Sequence, residues 1–254
     1  MLHLEALRCA CPLVGRLLLD SRKAFQRILV VDDDEAVLRL VRDKLDRAGY
    51  EVVTAVSGHE ALEAIRRQGL PHLAIVDIHM PGMDGFEFCE IVQQYSDLPI
   101  IMLTAVDEEE SIIRGIEYFA EDYITKPFSP RELVARVGRV LRRIGDFAYA
   151  LQPVISIDNR LAIDFGQQQA IVDGQPVQLT PTESKLLYIL MRNAGHTVTT
   201  EFLLSRTWPL AGVFEDALRV HVHHLRRKIE VDSSNPRYIV TARGTGYRMV
   251  APES

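Results

Sequence analysis

The chain has 254 residues, with 29 Lys and Arg against 35 Asp and Glu for a net charge of −6, and 47% of its residues are hydrophobic and 25% charged. This is globular composition, and at roughly 100–150 residues per domain the length predicts two domains. No run approaches the roughly 20 apolar residues of a membrane-spanning helix, so no membrane partner is expected, while an acidic total can still conceal two unlike halves.

Cys9, Cys11 and Cys89 form neither an even disulfide framework nor a C-x-x-C pair, which points to a reducing, cytoplasmic setting. Residues 1–26 are apolar in places but interrupted by Glu5, Arg8 and Arg16, unlike a secretory signal. They read as an N-terminal extension of unknown role.

From Arg27 the pattern becomes regular. Ile28 to Val31 is an apolar run ending in Asp32-Asp33-Asp34, Leu73 to Val76 ends in Asp77, and Pro99 to Leu103 ends in Thr104. Short apolar runs of this kind are strands buried on both faces, as in a parallel sheet covered by helices. Helices are predicted over Ala36 to Ala48 and Ala61 to Arg67. A strand around Asp122 to Thr125 precedes Lys126-Pro127, and another helix is predicted from about Pro130 to Arg143. Together these make a doubly wound α/β domain over 27–144.

Residues 145–153 lack periodicity and read as a linker. Beyond them the period changes to the alternation of antiparallel strands at Val154 to Ile157, Leu161 to Phe165 and Gln169 to Val172, with Asp173-Gly174 as a hairpin turn. Thr180-Pro-Thr-Glu183 has the form of a capping box with proline at the first helical position. Helices follow at about Glu201 to Trp208 and Glu215 to Glu230, then a hairpin from Tyr238 to Val250 turning at Gly244-Thr-Gly246. This second domain spans 154–252.

Doubly wound sheets build their sites at the carboxyl ends of the strands, where Asp32, Asp33, Asp77, Thr104 and Lys126 all fall. Three converging carboxylates repel one another, and a hard divalent cation such as Mg²⁺ resolves this with oxygen ligands. A lysine and a threonine hydroxyl nearby complete a set suited to phosphoryl transfer onto a carboxylate, with Asp77 attacking.

The segments Val30 to Glu35, Asp77 to Gly85, Leu103 to Ala105 and Asp122 to Phe128 resemble the receiver domain of two-component response regulators, a flavodoxin-like five-stranded fold. The C-terminal half resembles the α+β winged helix-turn-helix of the OmpR/PhoB family, and the likeness covers about 27 to 252. It implies Asp77 as phosphoacceptor for a sensor histidine kinase, and Asp32, Asp33, Asp77 and the His79 carbonyl as Mg²⁺ ligands. It further implies Lys126 and Thr104 as partners of the phosphoryl group, Tyr123 as an aromatic switch and a cis Lys126-Pro127 bond. The receiver itself would be no enzyme beyond its own phosphorylation and dephosphorylation.

Phosphorylated receivers of this kind pair into homodimers, and here Glu117, Glu121 and Asp122 with Arg136, Arg139 and Arg143 are the candidate face. Tyr118-Phe119 and Ile112 depart from the family's usual residues near that face, and Ile112 removes one expected ion pair.

The acidity divides unevenly: residues before 147 carry 18 basic and 25 acidic side chains, and those from 147 onward carry 11 and 10. Within the second half Arg219, His221, His223, His224, Arg226, Arg227 and Lys228 crowd one helix, with Leu218, Val222, Leu225 and Ile229 as its apolar stripe. Such a helix suits the major groove of double-stranded DNA, and Arg243 on the glycine hairpin suits the minor groove or backbone. The resemblance assigns the loop Pro209 to Phe214 to RNA polymerase. An aspartate-nucleophile phosphatase would place its nucleophile and a second aspartate two residues apart after the first strand, whereas here the metal-site acids Asp32 and Asp33 precede a separate Asp77. A phosphorylation-independent DNA-binding regulator, with the receiver only a dimer module, is the remaining alternative.

Overall fold

The alternation of side chains along a strand explains why the first domain's strands are apolar at every position. Ile28, Val30, Leu73, Ile75, Ile101 and Leu103 lie on one face of a sheet, and Leu29, Val31, Ala74, Val76, Ile100 and Met102 lie on the other, all buried. The structure, a computed structural model, describes residues 26–105, 120–144, 154–209 and 215–251.

The sheet consists of β1 (Arg27–Val31), β2 (Glu51–Ala55), β3 (Leu73–Asp77), β4 (Ile100–Ala105) and β5 (Asp122–Lys126). All pairings are parallel, in the order β2-β1-β3-β4-β5. Helices α1 (Glu35–Arg47) and α4 (Pro130–Ile144) cover one face through Leu38, Val41, Leu45, Leu133, Val137 and Val140. Helices α2 (Gly58–Gln68) and α3 (Gly85–Tyr95) cover the other through Ala61, Ile65, Phe88, Cys89 and Val92.

Two of these elements escape the sequence pattern. Only Ala55 of the edge strand β2 is buried, so its apolar periodicity is weak. Helix α3 follows the breaker-rich stretch Pro81 to Gly85, and its start is fixed by a capping box in which Asp84 and Glu87 each accept from the other's backbone N–H.

In the second domain, β6 (Ile155–Ser156), β7 (Leu161–Asp164), β8 (Gln169–Val172) and β9 (Gln175–Gln178) form an antiparallel sheet in that order. Asp173 and Gly174 both have positive φ, 51° and 77°. They join β8 to β9 as the two-residue turn their sequence predicts. Strand β9 itself was not legible, because Gln-Pro-Val-Gln offers almost no apolar alternation.

Helix α5 (Pro181–Arg192) begins with the expected reciprocal Thr180–Glu183 box. Then come β10 (Thr197–Thr199), α6 (Thr200–Thr207), α7 (Glu215–Ile229), β11 (Ile239–Ala242) and β12 (Gly246–Met249), with β12 paired to both β10 and β11 in the order β10-β12-β11. The buried carboxylate of Glu230 accepts backbone N–H bonds from Arg237, Tyr238 and Ile239 at 2.8–2.9 Å, fixing β11 to the end of α7.

Residues 183–191 of α5 are all buried. The helix lies between α7 and the first domain's α3, so one apolar core runs through both domains. Among the described residues no helix is long and apolar enough to cross a membrane.

A methyl group at Gly246 would sit 2.0 Å from the Val198 carbonyl oxygen, where β12 must approach β10. Gly246→Ala is therefore expected to destabilise the second domain by about 1–3 kcal/mol. The readout is a lower urea midpoint of the fluorescence of Trp208, the chain's single tryptophan, which caps α6.

Candidate acidic site and nucleic-acid interface

Parallel packing brings the carboxyl ends of β1, β3, β4 and β5 side by side. Carboxylate oxygens of Asp32, Asp33 and Asp77 lie within 4.8 Å of one another. Asp32 is fully buried and Asp77 is 5% exposed, while Asp33 is open to solvent. Lys126, at the end of β5, reaches across to both buried acids, with Nζ 2.8 Å from Asp32 Oδ2 and 3.0 Å from Asp77 Oδ1. The Asp34 N–H donates to the other Asp32 oxygen at 2.9 Å, and Asp34 caps α1.

Burial pushes the Asp77 carboxyl above the ordinary range. Lys126 opposes that shift, and the charges of Asp32 and Asp33 add to it. For Lys126 burial works against the charge, but its bonds to Asp32 and Asp77 prevail and its ammonium is held above the usual lysine value. Three carboxylates thus face one ammonium, leaving uncompensated negative charge in a half-buried pocket. Oxygen donors with surplus negative charge are what a hard divalent cation needs, so the residues fit Mg²⁺.

The chain turns sharply behind Asp77. Gly82 has φ +83°, and a Cβ on Gly85 would lie 2.3 Å from the Asp77 carbonyl oxygen. Only glycine lets α3 begin this close to the strand carrying the nucleophile candidate. Thr104, next to the last residue of β4, is almost fully buried, whereas the Tyr123 side chain on β5 is exposed, and the Lys126–Pro127 bond is cis.

The candidate dimer residues divide. Asp122, whose side chain is 8% exposed, pairs with Arg136 at 3.1 Å and with Arg139 of its own chain. Glu121 pairs with Arg206 of the second domain at 2.9 Å. Glu117 and the Arg143 side chain lie outside the described residues, as do Ile112 and Tyr118-Phe119.

On the second domain the basic helix separates into two faces. Arg219, His223, His224 and Arg227 are exposed, and so is Arg243 on the hairpin turn. Together α7, the β10–α6 junction and the hairpin frame a cleft of about 380 Å³ lined by Arg219, Thr241 and Thr245 among others.

Three residues that the sequence grouped with that surface turn inward. Arg226 donates to the Ile239 carbonyl at 2.6 and 2.9 Å and to Thr241 Oγ1 at 2.8 Å, and lies over the Tyr247 ring. Lys228 donates to the Gln178 carbonyl at 2.9 Å and pairs with the buried Glu183 at 2.6 Å. His221 packs against the Trp208 ring, and burial holds its imidazole below the usual range. A run of basic residues on one helix carries no sign of acceptors supplied by distant elements, which is why spacing alone grouped them with the exposed set.

Comparison with known proteins matches residues 28–138 to the response regulator receiver domain and residues 174–249 to the C-terminal domain of transcriptional regulatory proteins. A probable transcriptional regulator, ycf27, of Pyropia yezoensis is 42% identical over 229 residues, 87% of this chain and 93% of that protein. The alkaline phosphatase synthesis transcriptional regulatory protein PhoP of Bacillus subtilis is 39% identical over 237 residues, 90% of this chain and 98% of that one. Among solved structures, the Thermotoga maritima response regulator DrrB, described as an OmpR/PhoB homologue, aligns at 32% identity over 89% of this chain and 99% of that chain, with a TM-score of 0.43.

The raised pKa of Asp77 fixes the sign of a stability effect. The fold disfavours its charged form, so its contribution to stability falls as pH rises through its folded pKa. Asp77→Asn is expected to raise the urea midpoint at pH 7, with the gain shrinking as pH is lowered into the range where Asp77 takes up its proton. Equal midpoints at pH 7 would contradict the assigned environment.

Proposed function

The chain belongs to the OmpR/PhoB type of two-component response regulators, a transcriptional regulator with receiver and DNA-binding domains, and within that family we propose that Asp77 accepts a phosphoryl group from a partner sensor histidine kinase, switching dimerisation and DNA binding. The observation that carries this reading is the single ammonium of Lys126 held between Asp32 and Asp77.

In the proposed reaction an Asp77 oxygen attacks the phosphorus of the kinase phosphohistidine in line, and the imidazole leaves. The pair between Lys126 and Asp77 then opens, and Lys126 meets the phosphoryl oxygens instead. The Thr104 hydroxyl donates to the same group. Asp32, Asp33, Asp77 and the His79 carbonyl would hold Mg²⁺, which when bound supplies positive charge for those oxygens. Movement of Thr104 toward the phosphoryl group leaves room for Tyr123 to turn inward from its exposed position.

The face around β5 and α4 then pairs two receivers, with Arg136 and Arg139 exchanging their internal partner for one on the second copy. DNA is read by Arg219, His223, His224 and Arg227 in the major groove, with Arg243 on the adjacent backbone or minor groove. The loop from Pro209 to Phe214, whose residues 210–214 lie outside the described set, is the proposed contact for RNA polymerase. A receiver acting only as a dimer module needs neither Lys126 nor Thr104 at the acidic cluster, so their placement favours the phosphorylated reading.

Acetyl phosphate with Mg²⁺ is expected to add one phosphoryl group to the wild type and none to Asp77→Ala, measured by intact mass. Equal labelling of the two would sink the assignment. Gel filtration of the modified wild type tests the dimer step separately.

For DNA, Arg227→Ala is expected to weaken binding across sequences and to reduce the slope of log affinity against log salt by about one. Arg226→Ala is expected instead to lower the urea midpoint of Trp208 fluorescence, since its guanidinium bonds β11 rather than DNA.

A further inference from the structure

We propose that the loop after α3 is an intramolecular docking surface for the basic side of the DNA-binding domain, on which Asp97 and Glu121 clamp Arg192 and Arg206 and hold the resting chain closed. The Asp97 side chain is only 12% exposed. Its carboxylate accepts from Arg192 Nη1 at 3.3 Å and from Arg206 Nε and Nη2 at 3.1 and 2.8 Å. Its backbone carbonyl takes a second bond from Arg192 at 2.9 Å, and Arg206 reaches on to Glu121 at 2.9 Å.

A third cation of the same domain, Lys185, is buried on α5. Burial holds its ammonium below the usual range against the pull of Asp97.

The ionic clamp is one of three contacts. Helix α3 packs along α5, and at the far side the Gln167 amide donates to the Arg66 carbonyl at 3.3 Å. There Gly166 comes so close to the receiver that a Cβ would lie 2.6 Å from the Ile65 carbonyl oxygen. Breaking half-buried charge pairs beside an apolar seam is costly, because losing one partner leaves the other charge poorly solvated.

In this closed form Arg219, His223, His224 and Arg227 remain exposed, so the clamp does not hide the reading helix. It fixes that helix relative to the receiver. A head fixed in this way can meet a second DNA half-site only where receiver pairing happens to place it, and releasing the clamp removes that restriction.

Glu121 gives the clamp its connection to the switch. It precedes β5, the strand that carries Tyr123 and Lys126, and it also belongs to the expected dimer face. In the closed chain the Glu121 side chain is only 17% exposed against Arg206, so a second receiver would have to displace the DNA-binding domain to reach it, and closed chain and paired receivers compete for that face. The clamp rests on the phosphorylation reading only for what triggers its release.

The test uses the full-length protein with Asp97→Asn and Arg206→Ala, singly and together, without phosphate donor. Small-angle scattering measures compactness, and affinity is measured for a DNA fragment selected from random sequence by the wild type. Asp97 lies in the receiver, so its effect cannot come from a lost DNA contact, and Trp208 fluorescence melts establish that each variant is folded.

Each single variant is expected to expand and to bind DNA roughly 5- to 10-fold more tightly than the resting wild type, with the double variant no stronger than the larger single because both remove the same interaction. Scattering profiles that superimpose on wild type, or an Asp97→Asn affinity equal to wild type, overturn the proposal. Expansion and tighter binding that persist when acetyl phosphate has no effect on the wild type would uphold the clamp and reject the phosphorylation reading alone.

Discussion

Like charges forced together at the end of a sheet are the constraint around which the receiver is organised. Parallel pairing places Asp32 and Asp77 on neighbouring strands, and burial on both sheet faces denies them the water that would screen their repulsion. Lys126 is therefore drawn across from β5, although its ammonium gives up hydration to reach them. The pocket keeps a negative surplus, held in place by the packing of α1 and α3 and by the glycine contact beneath Asp77. A site in that condition is ready for a cation and for a reaction in which the Lys126 pair is exchanged for another. On the proposed reading, the same crowded charges give the fold a switchable contact.

The DNA-binding domain solves the opposite problem. It has nearly balanced charge but concentrates cations on one helix, and it spends several of them on its own architecture. Arg226 ties α7 to β11 through the Ile239 carbonyl, and Lys228 satisfies the buried Glu183 that caps α5. The outward set is correspondingly smaller and contains two imidazoles. Guanidinium carries a permanent charge that imidazole does not, so in the proposed DNA contact affinity would depend more on fit to the groove and less on salt than the count of basic residues suggests.

Much of this was legible from single residues. The all-apolar runs at Ile28, Leu73 and Ile100 gave a sheet buried on both faces, and the strand-end residues Asp32, Asp77, Thr104 and Lys126 followed from the rule that such sheets place sites at their carboxyl edge. Asp173-Gly174 and the Thr180 capping box were readable because backbone geometry demands those residue types locally. What escaped was of two kinds. Strands β2, β9 and β10 are short or at edges, so little of their side-chain pattern is buried and the alternation fades. The roles of Arg192, Arg206, Arg226 and Lys228 depend on acceptors far along the chain, and no local spacing encodes a partner nearly a hundred residues away, as for Asp97 and Arg192.

The charge division between the domains then decides how the clamp can be released. The receiver half carries an excess of acidic groups over basic ones and the other half is nearly neutral, so on the proposed reading a phosphoryl group of roughly two negative charges replacing the single charge of Asp77 would strengthen, rather than weaken, the long-range attraction of the receiver for Arg192 and Arg206. At physiological ionic strength exposed charges are screened beyond about 8 Å, which limits that attraction but does not reverse its sign. Electrostatics between the phosphoryl group and the clamp therefore cannot drive opening. The driving step has to be local and mechanical. Thr104 and Lys126 sit on β4 and β5 and bond to one another's strands in register, and Glu121 donates its backbone N–H to the Ile100 carbonyl at the start of β4. On the proposed reading, a shift of these two strands toward the phosphoryl group would move the Glu121 carboxylate relative to Asp97. Arg206, which spans both acids, can then keep only one of them, and the clamp loses the geometry that made its half-buried charges tolerable.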